Sequence, residues 1–107
     1  MDRDHAQELL ARERERIERA LIALERPVND GEQPGDGSED LYQREFDEGA
    51  ADALRRELEA LERAEARLAA GTYGLSVESG KPIPDGRLQS VPSAERTVEE
   101  EQAAGRG

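Results

Sequence analysis

Side chains suited to nucleophilic or metal chemistry are scarce in this sequence, whereas carboxylates are plentiful. There is no cysteine, and the one histidine, His5, lies on a polar helix end. Nucleophilic catalysis needs an activated Ser, Cys or Lys beside a base; neither a GxSxG elbow nor a glycine-rich phosphate loop is present. With 26 acids in 107 residues, neighbouring carboxylates are inevitable and assign no catalytic residue. The chain reads as a non-enzyme. The acids are uneven: residues 27–48 hold eight against one base, Arg44, a net of −7 within the formal −11. Asp30, Glu32 and Asp36 fall in Asn29–Ser38, where three glycines and a proline make helix interior improbable. They form either an acidic contact pole or a solvated loop.

Two periodic segments flank that loop. From Asp4 to Arg26, apolar residues recur at Leu10, Ile17, Leu21 and Leu24, then Val28, the steps of a coiled-coil seam. Asp2 and Asp4 favour the helix start through the macrodipole, and Pro27 closes the pattern. The second segment, Glu39 to Ala70, carries Phe46, Ala50, Leu54, Leu58, Leu61, Ala64 or Glu65, and Leu68. Gly49 predicts a kink or a close contact inside it, and Gly71 a C-cap. Two such stripes bury most simply on each other, so residues 1–70 are expected to form an antiparallel helical hairpin with its tip at 27–40. The fold class is mostly all-α.

Composition narrows the function classes. Hydrophobic residues are 35% of the chain and aromatics 3%, too few for a broad core but suited to helices that bury one stripe. A net charge of −11 argues against direct DNA or RNA binding, which needs basic surface. No apolar run approaches the ~20 residues of a membrane span, and no signal-peptide segment opens the chain. A cytoplasmic protein is expected.

The stretch Gly71–Gln102 reads G-T-Y-G-L-S-V-E-S-G-K-P-I-P-D-G-R-L-Q-S-V-P-S-A-E-R-T-V-E-E-E-Q. It resembles the C-terminal signature of the DksA/TraR family of bacterial transcription factors. There Y-G-x-C-x-x-C-G-x-x-I precedes R-L, P-x-A and a second C-x-x-C, with seventeen residues between the cysteine pairs. In this chain Tyr73, Gly74, Gly80, Ile83, Arg87, Leu88 and Pro92 are kept, and the four cysteine positions are Ser76, Ser79, Thr97 and Glu100.

The resemblance implies a finger-like module over 71–107 whose metal site has been lost. Hydroxyls stay protonated at neutral pH and one carboxylate does not make a zinc site, so no zinc and no other cofactor is expected. Leu75, Val77, Ile83, Leu88, Val91 and Val98, closed over by Tyr73, are the apolar residues available in compensation. Ser76 and Ser79 are expected to hydrogen-bond within the turn, and a final helix to start at Pro92-Ser93, capped by Ser93, and to run to about Ala104.

The resemblance further implies RNA polymerase as partner, with the globular end on the rim of the secondary channel and the hairpin reaching towards the catalytic magnesium. The family's tip motif, D-x-x-D-x-A, falls opposite Gln33-Pro34-Gly35-Asp36-Gly37-Ser38; Asp36 matches the second aspartate, Gln33 replaces the first, and Ser38 replaces the alanine. Asp30, Glu32 and Asp36 are the candidate partner-binding residues. Nothing identifiable contacts a nucleotide. A monomer fits entry into a narrow channel; the alternative is a protein-interaction or scaffold module, dimeric or not, that kept the hairpin and lost polymerase regulation.

Overall fold

The computed structural model of the protein describes residues 1–25 and 37–105, with side chains described for 1–24 and 48–105. Among the described residues four helices follow in order: α1 (Arg3–Glu25), α2 (Gly37–Ala70), α3 (Asp85–Ser90) and α4 (Val98–Gly105). Helices α1 and α2 make the expected hairpin. Their antiparallel sense is visible in the ion pairs across them: Arg14 meets Glu65 at 2.6 Å, and Arg16, further along α1, meets the earlier Glu57 at 3.5 Å.

Between the two helices lies an apolar seam. Leu10, Ile17, Leu61 and Ala64 are its buried centre, and Leu21, Leu54, Leu58 and Leu68 pack against it. Each fully buried large aliphatic contributes ~1.5–3 kcal/mol, which is where the hairpin's stability resides. Two details differ from the spacing read in sequence, and one choice left open there is resolved. Ala51 is buried and Ala50 only half-buried, because the 3.6-residue period leading to Leu54, Leu58 and Leu61 passes through 51. Ala64, not Glu65, is the buried member of its pair; Glu65 lies beside the seam and binds Arg14. Ala6, small enough to be overlooked as a seam residue, is buried as well.

Local chemistry sets the helix ends. The Asp2 carboxylate accepts the His5 amide at 2.7 Å and the Asp2 carbonyl accepts the Ala6 amide at 3.0 Å, so Asp2 caps α1. Helix α2 begins at Gly37 rather than Glu39. It runs on through Gly49, where an added Cβ would meet nothing within 4 Å, so that glycine marks no close contact. It stops at Gly71, whose φ of +82° is the left-handed geometry glycine tolerates. The Gly71 amide bonds to the Leu68 carbonyl at 3.2 Å and the Thr72 amide to Arg67 at 2.9 Å, a Schellman ending.

Beyond α2 the chain turns back on itself. An isolated bridge pairs Leu75 with Pro82, the Ser76 amide bonds to the Lys81 carbonyl at 2.8 Å, and the Ile83 amide to the Gly74 carbonyl at 2.7 Å. Ile83, Leu88 and Ala94 form a second small core with Val91 against it, and Tyr73 packs on both this core and the hairpin's. Leu75, Val77 and Val98, expected to help fill this core, are exposed instead. The extended pairing at 75–82 holds Leu75 and Val77 on its outer face, and Val98 lies on a helix that buries nothing. The short helix α3, carrying Leu88 inward, was hidden in a sequence stretch rich in Pro and Gly.

Candidate functional site

Ser76, Ser79, Thr97 and Glu100 come from two separate local structures. The first pair brackets a tight turn. Ser76 Oγ accepts the amides of Glu78 at 3.1 Å and Ser79 at 3.2 Å; Ser79 Oγ accepts the Lys81 amide at 3.2 Å. The turn closes at Gly80, whose amide bonds to the Ser76 carbonyl at 2.9 Å and whose φ is +75°. The hydrogen bonding expected of the two serines is thus present.

The second pair is a capping box at the start of α4. Glu100 Oε1 accepts the Thr97 amide at 2.9 Å, and Thr97 Oγ1 accepts the Glu100 amide at 3.2 Å. Helix α4 therefore starts at Val98 with Thr97 as its cap, not at Pro92-Ser93. Residues 91–94 form a turn instead, with the Ala94 amide on the Val91 carbonyl at 2.9 Å. The T-x-x-E spelling at 97–100 carries the signal that locates the true start.

The Thr97 amide foremost, with the Ser79 and Ser76 hydroxyls adding to it, holds the Glu100 pKa down to about 2, whereas the direct hydrogen bonds of each pair stay within its own turn or cap.

The donor set does not fit zinc. Three neutral hydroxyls and one carboxylate offer no thiolate or imidazole, the carboxylate is already engaged, and each hydroxyl oxygen already takes a backbone N–H. Among the described residues no group of three or more His, Cys, Asp or Glu side chains could hold a metal ion. His5 is exposed at the start of α1.

A joint fixes the small core to the hairpin. Arg63 reaches Glu95 at 2.8 Å and Arg67 approaches the same carboxylate at 3.8 Å. The Arg63 hydrogen bond lowers the Glu95 pKa, and burial lowers that of Arg67. Tyr73 donates its hydroxyl to the Pro92 carbonyl at 2.9 Å, and burial raises its pKa. Tyr73 was read from sequence as a lid over one core; the two arginines and Glu95 were not singled out, since nothing local distinguishes them from other charged helix residues. Asp30, Glu32 and Asp36 lie outside the described residues.

No protein-family model matches the chain. The solved structure of transcription factor DksA2 from Pseudomonas aeruginosa aligns with 97% of this chain and 83% of its own, at a TM-score of 0.74 and 30% identity. The uncharacterized protein YteA of Bacillus subtilis (strain 168) is 38% identical over 66 residues, 62% of this chain and 28% of YteA. The matched stretch therefore spans less than a third of that relative's length. No described helix is long and apolar enough to cross a membrane. Shared architecture and shared sequence over nearly the whole chain place the protein among the DksA-like proteins.

Proposed function

We propose that the protein is a transcription regulator that binds RNA polymerase at the secondary channel, without zinc. The observation that carries this reading is the likeness to a transcription factor over 97% of the chain, joined to the signature at Tyr73–Pro92 and the hairpin that precedes it. In this reading residues 1–70 are the reaching unit and 71–107 the docking unit. The hairpin is a rod with one apolar seam and, Ile22 apart, a largely charged exterior among its described residues, a shape suited to entering a channel. The joint of Arg63, Arg67, Glu95 and Tyr73 sets the angle between rod and dock, so docking also aims the tip. Asp30, Glu32 and Asp36 then act through charge near the polymerase metal centre. A single matching aspartate at the tip gives a regulatory outcome different from that of a D-x-x-D tip.

Co-purification with core RNA polymerase tests the proposal, using the full chain and a variant lacking residues 27–40. The full chain is expected to be retained, and the loop-deleted variant to bind without altering transcription. Absence of any specific contact with the polymerase would overturn it.

A further inference from the structure

Leu10, Ile17 and Leu24 stand seven residues apart on α1, and Leu54, Leu61 and Leu68 stand seven apart on α2. A seam with that repeat reads the same after one helix slides by a heptad, because each large aliphatic side chain again meets another. Apolar burial by itself therefore leaves the register of the hairpin open. We propose that Arg14 is the positioning residue that settles it: its bidentate pair with Glu65 selects one register of α1 on α2. The inference rests on the reaching role proposed above for its consequence, and its test needs no polymerase.

The geometry of the pair supports it. Arg14 Nε donates to Glu65 Oε2 at 3.0 Å and Arg14 Nη2 to Glu65 Oε1 at 2.6 Å, the fork in which a guanidinium matches both oxygens of a carboxylate. Both side chains are about two-thirds covered, at 33% and 35% exposure, and with Leu10 and Leu68 they line one groove beside the seam. Glu18 and Glu62 approach the same guanidinium at 3.4 and 3.8 Å. Arg16 reaches Glu57 across the helices at 3.5 Å, but both are half exposed, and such pairs contribute little. The Arg12–Glu8 and Arg19–Glu15 pairs lie within α1 and are indifferent to register.

No other register offers this pair. The residues one heptad from Arg14 are Gln7 and Leu21, and those one heptad from Glu65 are Leu58 and Thr72. A slip in one direction sets Arg14 against Leu58 and Glu65 against Gln7; in the other, Arg14 meets Thr72 and Glu65 meets Leu21. Two partly covered charges then lose their partners, a cost that the repeating aliphatic residues do not incur. The slip also moves α1 about 10 Å along α2, seven residues at ~1.5 Å each. Residues 26–36 join the two helices in sequence, so they would span a gap longer or shorter by that amount. Asp30, Glu32 and Asp36 belong to that segment, and under the reading above the register decides how they are presented.

Because the chain has no cysteine, Glu8→Cys and Ala53→Cys, both at exposed positions, give two unique sites for spin labels. The distance between the labels reads the register in the full chain, and a single distance is expected. Arg14→Met combined with Glu65→Met should keep the helical circular dichroism and the thermal stability, since apolar replacement of a covered ion pair is often neutral. It should nevertheless add a second distance, displaced by up to about 10 Å. Arg14→Glu combined with Glu65→Arg exchanges the partners and should restore the single native distance. A single native distance in the methionine variant would overturn the inference, because the seam and the module would then fix the register unaided. Loss of helix in that variant would overturn it too, since the pair would then hold the fold rather than choose its register. So would failure of the exchanged pair to restore the native distance. None of these outcomes bears on polymerase capture, which its own assay decides.

Discussion

The hairpin and the module that follows it are held together by different physics. In the hairpin, Leu10, Ile17, Leu61 and Ala64 form a continuous apolar seam, and charged side chains decorate its outside. The module's buried apolar cluster is small, Ile83, Leu88 and Ala94, and it relies on turns, left-handed glycines and satisfied polar groups. A seam tolerates changes outside its stripe because burial is non-directional. A turn network does not, because each donor has one geometry and one acceptor. Shape in the first region follows from hydrophobic period, and in the second from hydrogen-bond accounting.

Substitutions can break this contrast. The largest expected effect is Leu61→Ala, which removes a fully buried side chain from the centre of the seam. It should cost about 2–5 kcal/mol, read as a cooperative loss of helical circular dichroism at lower temperature. Next is Gly74→Ala. Gly74 has a φ of +87°, and an added Cβ would lie 3.6 Å from Leu88 Cδ1, so contact is tolerable but the backbone is not. A cost of about 1–2 kcal/mol is expected, confined to the module and visible as faster exchange of the Ile83 amide. Tyr73→Phe keeps the ring on both cores and removes only the hydroxyl that serves the Pro92 carbonyl. Roughly 1 kcal/mol should be lost, with the hairpin signal preserved.

Acidification gives the smallest effect per site and the clearest split between regions. The Thr97 amide and the Ser79 and Ser76 hydroxyls hold Glu100 at about 2, and Arg63 lowers Glu95. In the hairpin, Arg14 lowers Glu65. Each folded-state value lies below the unfolded glutamate's ~4.3, so the stabilisation is fully present above that pH and is lost as pH falls towards 2. With two such groups and a small core, the module should loosen first. Near pH 3, exchange at Ser76 and Gly80 should accelerate while hairpin amides remain protected; simultaneous loss of both would contradict the contrast.

The same contrast explains what the sequence made legible. Leu10, Ile17, Leu54, Leu58, Leu61 and Leu68 announce the hairpin because a helix repeats its burial every three or four residues. Ala51 escaped because alanine marks a stripe weakly, and Ala50 beside it is chemically identical. Gly71 was visible as a cap from the helical period that ends there, and Gly74 and Gly80 as kept positions of the signature. The exposure of Leu75, Val77 and Val98 was not visible, because no period says which side of a single bridge or a short helix faces inward. Helix α3 was hidden because Pro84 and Gly86 look like breakers, although proline is well placed at a helix start. The joint of Arg63 and Arg67 with Glu95 depends on contacts distant in sequence.

The most direct test of the proposed role is site-specific photo-crosslinking to core RNA polymerase from position 36, in the segment that joins the two hairpin helices in sequence. A crosslinker replacing Asp36 is expected to label polymerase segments that line the secondary channel near the catalytic magnesium, in metal-free protein, and labelling should fall when the channel is blocked. Labelling confined to the outer polymerase surface, or none while the protein remains folded, would contradict the account.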